Sequence, residues 1–300
     1  MATLEFTKMH GCGNDYIYVI ADRTRPADPG GLSIRLSDRR FGIGGDGLIM
    51  LAPSRRADIR MEMYNADGSR GEMCGNGIRC LARLACERGL VSRNPIAVET
   101  DCGIRTVALI FKDGRVTGAT VDMGEPILEG REIPVAADGR IIDHPLEVAG
   151  RTWRVTAVSM GNPHCVVFLE DDALLKLDDG EFARLGRAFE HHPLFPRRVN
   201  TEFIVPVARD YLKMRVWERG SGETLACGTG ACAALVAAVL TGRAERKATL
   251  ELRGGKLEIE WRERGEGANH VFMTGEAVEV FRGEVELAPG ELVPADSQVS

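Results

Sequence analysis

No apolar run in this 300-residue chain reaches the roughly 18 residues that a membrane-spanning helix needs. Its opening residues, MATLEFTKMHGCGND, carry no apolar core of a secretory leader, so a cytoplasmic protein is expected. Basic residues do not outnumber acidic ones: 38 Lys and Arg stand against 44 Asp and Glu, a net charge of −6. That balance argues against nucleic acid or an anionic membrane as partner. Although eight cysteines are present, no Cys-x-x-Cys occurs, and only His164-Cys165 brings a histidine beside a cysteine. A zinc site is therefore not expected, and in a reducing compartment the cysteines should be thiols. What remains is ordinary for a globular protein, with 44% hydrophobic and 27% charged residues.

The local pattern is mostly strands and turns. β-branched residues in partial alternation, bounded by Gly, Asp and Asn, mark strands at Ala57–Tyr64, Ile96–Thr100, Arg105–Phe111 and Thr120–Met123. The same texture returns at Trp153–Ser159, Cys165–Leu169, Thr201–Pro206, Leu212–Trp217, Thr249–Leu252, Leu257–Trp261 and Val271–Val280. Helices are expected over Gly77–Arg88 and Gly230–Leu240, each ending near a glycine, with surface helices over Gly30–Arg40 and Asp172–Ala188. The segment ACAALVAAVL is apolar all round, so its helix should be buried on every side, wrapped by sheet.

The chain resembles itself. Asn65 lies nine positions before Cys74, and Glu218 nine positions before Cys227. Met61-Glu62-Met63-Tyr64 then matches Met214-Arg215-Val216-Trp217, and Gly13-Asn14-Asp15 has a counterpart in Gly161-Asn162-Pro163. Several such matches in one order indicate a duplicated domain. The expectation is an α+β fold of two pseudo-symmetric domains, 1–124 and 125–274, with a site at their seam. The last strand, about 275–284, returns to the first domain, and 285–300 is an unordered tail.

Two loops concentrate the chemistry, NADGSRGEMCGNGIRC at 65–80 and ERGSGETLACGTGACA at 218–233. In each, a cysteine opens a C-G-x-G turn into a helix, whose first turn offers unpaired N–H groups and the positive end of the dipole. A substrate carboxylate can bind there, and a thiolate is stabilised there. Inverting a carbon that carries a proton needs a base on one face and an acid on the other, and Cys74 with Cys227 supplies such a pair. That scheme demands neither a pyridoxal lysine nor a metal, so no cofactor is expected. One C-G-x-G turn is usually punctuation; two in register with a repeat are not.

These loops, with KMHGCGNDY at 8–16, SMGNPHCV at 159–166 and VNTEF at 199–203, resemble the paired signatures of the diaminopimelate epimerases, from about Phe6 to Phe281. The resemblance implies two similar domains, each a mostly antiparallel or mixed sheet around a central helix. It implies interconversion of LL- and meso-2,6-diaminopimelate on the route to lysine and peptidoglycan, with Cys74 and Cys227 as the acid/base pair, and a homodimer. Carried over residue by residue, Asn14, Asn65, Asn162 and Asn200 bind the substrate's amino and carboxylate groups. Glu218 and Arg219 supply complementary charge, and the N–H groups of Gly75, Asn76, Gly228 and Thr229 hold the reacting carboxylate. His164 and Glu218 tune the thiols. Some relatives have Gln at the position of Gly47, a contact this chain lacks.

Three rivals stand beside this reading, one of them an isomerase on the same fold that has lost the thiols, which Cys74 and Cys227 argue against. Proline and hydroxyproline racemases also use two cysteines, but typically place His where this chain has Asn76. A non-enzymatic amino-acid binder would explain the polar clamp but not two thiols at helix starts.

Overall fold

A computed structural model describes residues 2–264 and 268–295. The chain divides into two compact units, Met1–Val121 with Gly275–Ser300, and Asp122–Thr274.

The units repeat one strand plan. In the first, Ala2–Gly11 pairs antiparallel with Asn14–Ile20, which runs parallel to Gly47–Ala52. That strand is antiparallel to Ile59–Asn65, which lies parallel to Ile96–Thr100, and Gly103–Lys112 and Arg115–Asp122 follow antiparallel. In the second, Arg151–Ser159, Pro163–Phe168, Asn200–Ala208, Tyr211–Glu218, Lys247–Leu252, Gly255–Arg264 and Ala268–Glu276 pair in the same alternation of directions. The expected α+β class and its internal repeat are therefore present as a mixed sheet in each unit.

Among the described residues, four α-helices punctuate the strands: α1 (Pro29–Ser37), α2 (Gly75–Glu87), α3 (Asp179–Glu190) and α4 (Gly228–Leu240). Helix α2 touches strands Ala2–Gly11, Asn14–Ile20, Gly47–Ala52, Ile59–Asn65, Ile96–Thr100 and Gly103–Lys112. Helix α4 is likewise surrounded by the strands of its own unit, and its residues from Gly230 to Ala238 are buried on every face. A helix without a polar face has no other stable place. On the opposite sheet surface, α1 covers Leu32 and Leu36 against Leu4, Phe6, Ile17 and Leu48. In the second unit, Phe182 and Phe189 of α3 meet Trp153, Phe203 and Trp217 in edge-to-face pairs, a geometry the ring quadrupoles favour.

Several expectations need correction. The surface helix predicted over Asp172–Ala188 begins at Asp179, because Asp178 caps it by accepting from Glu181 N, while Leu174–Lys176 makes a separate 3-10 turn. The strand predicted over Val271–Val280 is two strands, ending at Glu276 and restarting at Val278. Strands Ala2–Gly11, Asn14–Ile20 and Gly47–Ala52 were not expected. The last is buried at all six positions, so period-2 alternation disappears. Residues 285–295 are not an unordered tail. Strand Val278–Leu287 pairs with Ala2–Gly11, Leu287 is buried, and Leu292–Pro294 pairs with Thr24–Pro26, because these apolar side chains complete the cluster under α1. The remainder of that expected tail, 296–300, lies outside the described residues. Among the described residues, no helix is long and apolar enough to cross a membrane.

Candidate active site

In the first unit, Cys74 is the N-cap of α2. Its backbone is extended (φ −127°, ψ 119°), and its sulfur accepts from Gly77 N at 3.3 Å. An N-cap is normally a Ser, Thr, Asp or Asn oxygen; here a thiol takes that place and with it the first-turn N–H groups. Asn14 follows a turn in which Cys12 and Gly13 both have positive φ. Its Nδ2 donates to Asp46 Oδ2 at 2.7 Å, and Asp46 also accepts from Asp15 N and Arg39. A carboxylate that only accepts fixes the Asn14 amide one way round. Asn14 Oδ1 therefore faces the site, accepting from Cys74 Sγ at 3.1 Å and from Asn76 Nδ2 at 3.5 Å. Asn76 is tied in turn to Arg79, whose wholly buried guanidinium donates to Asn76 Oδ1 and to the carbonyls of Gly75 and Glu276. Burial pushes the Cys74 thiol up, opposed by the N–H groups of Gly77 and Asn76, the Tyr16 hydroxyl and the Arg79 charge.

The second unit repeats the cap. Cys227 begins α4 with φ −118° and ψ 112°, and its sulfur accepts from Gly230 N at 3.4 Å. Thr229 Oγ1 lies 3.5 Å from the same sulfur. The surroundings differ. Burial pushes the Cys227 thiol far above its usual range, and the Glu218 and Glu202 carboxylates push it further, against the bonds from Thr229 and Gly230. Burial also raises Glu218, opposed by bonds from Thr224 and Cys227 and by the charge of His164. His164 is wholly buried, with Nδ1 2.7 Å from Glu202 Oε1 and Nε2 3.0 Å from Asn162 Oδ1.

Not every expected residue joins these clusters. Asn65 sits in the hairpin before Cys74 and gives its amide to Ser69 Oγ at 2.9 Å. Asn200 is buried and accepts from the backbone N–H of Arg219 at 2.7 Å, while the exposed Arg219 guanidinium donates to Arg197 O at 3.1 Å. Gly75 and Gly228 are the first residues of their helices, so their N–H groups lack intrahelical partners. Gly47 admits no side chain on this backbone, since an ideal Cβ would lie 2.2 Å from Tyr64 O. Sequence reasoning missed Tyr16, Asp46, Arg79, Glu202 and Thr224. Only Glu202 left a signal, an acidic residue inside the apolar strand run NTEFIV. Among the described residues, no three of His, Cys, Asp and Glu form a metal-ligand cluster.

Comparison with known proteins identifies the family. The family model for diaminopimelate epimerase matches residues 6–129 and 156–280. The chain is 54% identical over 286 residues to a diaminopimelate epimerase of Moorella thermoacetica, covering 95% of this chain and 100% of that one. It is 52% identical over 285 residues to the enzyme of Acetivibrio thermocellus, covering 95% and 99%. Among solved structures, a hydroxyproline epimerase from Agrobacterium vitis superposes with a TM-score of 0.67 at 16% identity, covering 95% of this chain and 91% of that one. A Bacillus anthracis phenazine biosynthesis protein of the PhzF family follows at 0.66 and 16%, covering 96% and 100%. At such identities these structures speak for the fold alone. By the match of the family model and by identity over nearly its whole length, the chain belongs to the diaminopimelate epimerase family.

Proposed function

We propose that this chain interconverts LL- and meso-2,6-diaminopimelate, in lysine and peptidoglycan precursor synthesis, by two-base catalysis through Cys74 and Cys227. The observation that carries the reading is the duplicated thiol cap: each cysteine begins a buried helix with its sulfur in contact with a first-turn N–H. One sulfur, as thiolate, takes the α-proton as the Cα–H bond breaks. The electron pair left behind spreads into the carboxylate. The other sulfur, as thiol, returns a proton to the opposite face, so the protonation of the pair is exchanged after each turnover. N–H groups of Gly75, Asn76, Gly228 and Thr229 stabilise the charge on that carboxylate, preorganised by their helices. Asn14, Asn65, Asn162, Asn200, Glu218 and Arg219 hold the amino and carboxylate groups, chiefly at the non-reacting end, where a guanidinium suits a carboxylate. His164 and Glu218 tune the thiols. A cytoplasmic homodimer, working without a cofactor and without nucleic-acid or membrane partners, completes the proposal.

The test is incubation with LL-diaminopimelate in D2O, followed by chiral separation and mass analysis. Meso product carrying solvent deuterium at Cα is expected. Binding without isomer formation or exchange would reduce the chain to an amino-acid binder.

A further inference from the structure

We propose that Glu202 is a positioning residue for the epimerisation, holding His164 by its Nδ1 so that the ring's Nε2 orients the Asn162 amide toward the substrate; this rests on reading Asn162 as a substrate ligand. The argument comes from the repeat. Tyr16 pairs with Gly47 across the parallel strands of the first unit, and His164 pairs with Asn200 across those of the second. Two residues on, Ile49 and Glu202 occupy the same place. An ideal Cβ on Gly77 would meet Ile49 Cδ1 at 2.6 Å, and one on Gly230 would meet Glu202 Oε1 at 2.6 Å. Both glycines are the amide donors to the capping sulfurs.

An isoleucine fills that place in the first unit with no desolvation penalty. The second unit instead buries a carboxylate against an imidazole, both at 0% exposure, with Glu202 Oε2 lacking a hydrogen-bond partner among the described residues. Packing alone would favour the isoleucine, because a buried, incompletely bonded ion is costly. What the pair supplies is orientation. A carboxylate accepts, so the hydrogen on His164 Nδ1 points to Glu202, and Nε2 is brought to 3.0 Å from Asn162 Oδ1. With the ring tied at both ends, one polar atom of the Asn162 amide is engaged by Nε2 and the other is left for the substrate. Cys165, Cys227 and Glu218 are the other titratable groups around the pair, and the charge of Glu202 also raises the Cys227 thiol, on the same glycine face.

The experiment compares Glu202→Ile, the residue type the first unit uses, with the near-isosteric Glu202→Gln and with Asn162→Ala. Steady-state kinetics are combined with 15N spectra of the histidine rings. Glu202→Ile is expected to raise KM about tenfold, as loss of an outer partner of a functional histidine does, with a smaller fall in kcat. It should release the fixed Nδ1–H of His164. Glu202→Gln, which still accepts, should lie between the two and keeps the test open if the isoleucine variant does not fold. Combined with Asn162→Ala, the Glu202 change should add little further loss. Wild-type KM in Asn162→Ala would overturn the substrate role of Asn162 and the relay with it. A raised KM in Asn162→Ala beside wild-type kinetics and ring spectra in both Glu202 variants would overturn only the part assigned to Glu202.

Discussion

The two cysteine caps are alike in backbone and unlike in charge. Each sulfur takes the third-position amide of its helix, at 3.3 Å in Cys74 and 3.4 Å in Cys227, on nearly the same φ and ψ. Around Cys74 stand the Tyr16 hydroxyl, a neutral amide and the cationic Arg79. Around Cys227 stand the carboxylates of Glu218 and Glu202. Duplication has preserved the hydrogen-bond geometry, whereas the side chains behind it have diverged. The physical consequence is a ranking: the surroundings of Cys74 oppose its ionisation less than those of Cys227 do. A two-base enzyme benefits from such a bias, because two thiolates or two thiols would each leave one face of the substrate unserved.

The harshest way to break the comparison is to remove either sulfur. Cys74→Ser and Cys227→Ser should each lower epimerisation by about 10²–10⁴-fold, the range for a lost general acid or base, measured by chiral separation. Serine keeps the cap, so melting temperatures should change little. If one variant retained most of its activity, the two loops would not be equal partners.

Next, the ranking itself can be read by alkylation at a series of pH values with peptide mass analysis. Cys74 should react at lower pH than Cys227, because burial raises both thiols while two anions raise only the second. Glu218→Gln removes one of those anions and should move the Cys227 profile to lower pH, leaving Cys74 unchanged. The same variant has a stability signature. Burial raises the Glu218 carboxyl in the folded chain. Its protonated form is thus favoured by folding, and that stability is present below the unfolded pKa and is lost as pH rises through the folded one. Glu218→Gln should therefore gain melting temperature relative to the parent as pH rises, in thermal scans from pH 4 to pH 8.

The smallest effect is expected from Asp46→Asn. Asp46 fixes the Asn14 amide with its oxygen toward Cys74. An asparagine there can donate as well as accept, so Asn14 is free to turn its NH2 to the sulfur and favour the thiolate. Alkylation of Cys74 should shift slightly to lower pH, with Cys227 unmoved. An equal shift at both cysteines would mean that Asp46 acts through overall charge.

Much of this protein is legible without coordinates, for identifiable reasons. Helix α4 is announced by ACAALVAAVL, since an apolar segment of that length between glycines has few alternatives, and the structure starts it two residues before the expected Gly230. Gly47–Ala52 is invisible to alternation because both its faces are buried. The thiols stand out because their loops repeat in register. Asp46, Arg79 and Glu202 do not, because each acts on a residue far away in sequence or from a place where charge is unexpected: Asn14 is 32 positions from Asp46, and His164 is 38 positions from Glu202.

The sequence by itself determined the family, the duplicated plan and the two sulfurs at helix starts, because these depend on short patterns whose local geometry is self-contained. Only the tertiary structure decided what stands behind each sulfur. Charge acts through space and is amplified by burial, and a linear pattern records neither the neighbour brought in by a distant strand nor the water that has been excluded.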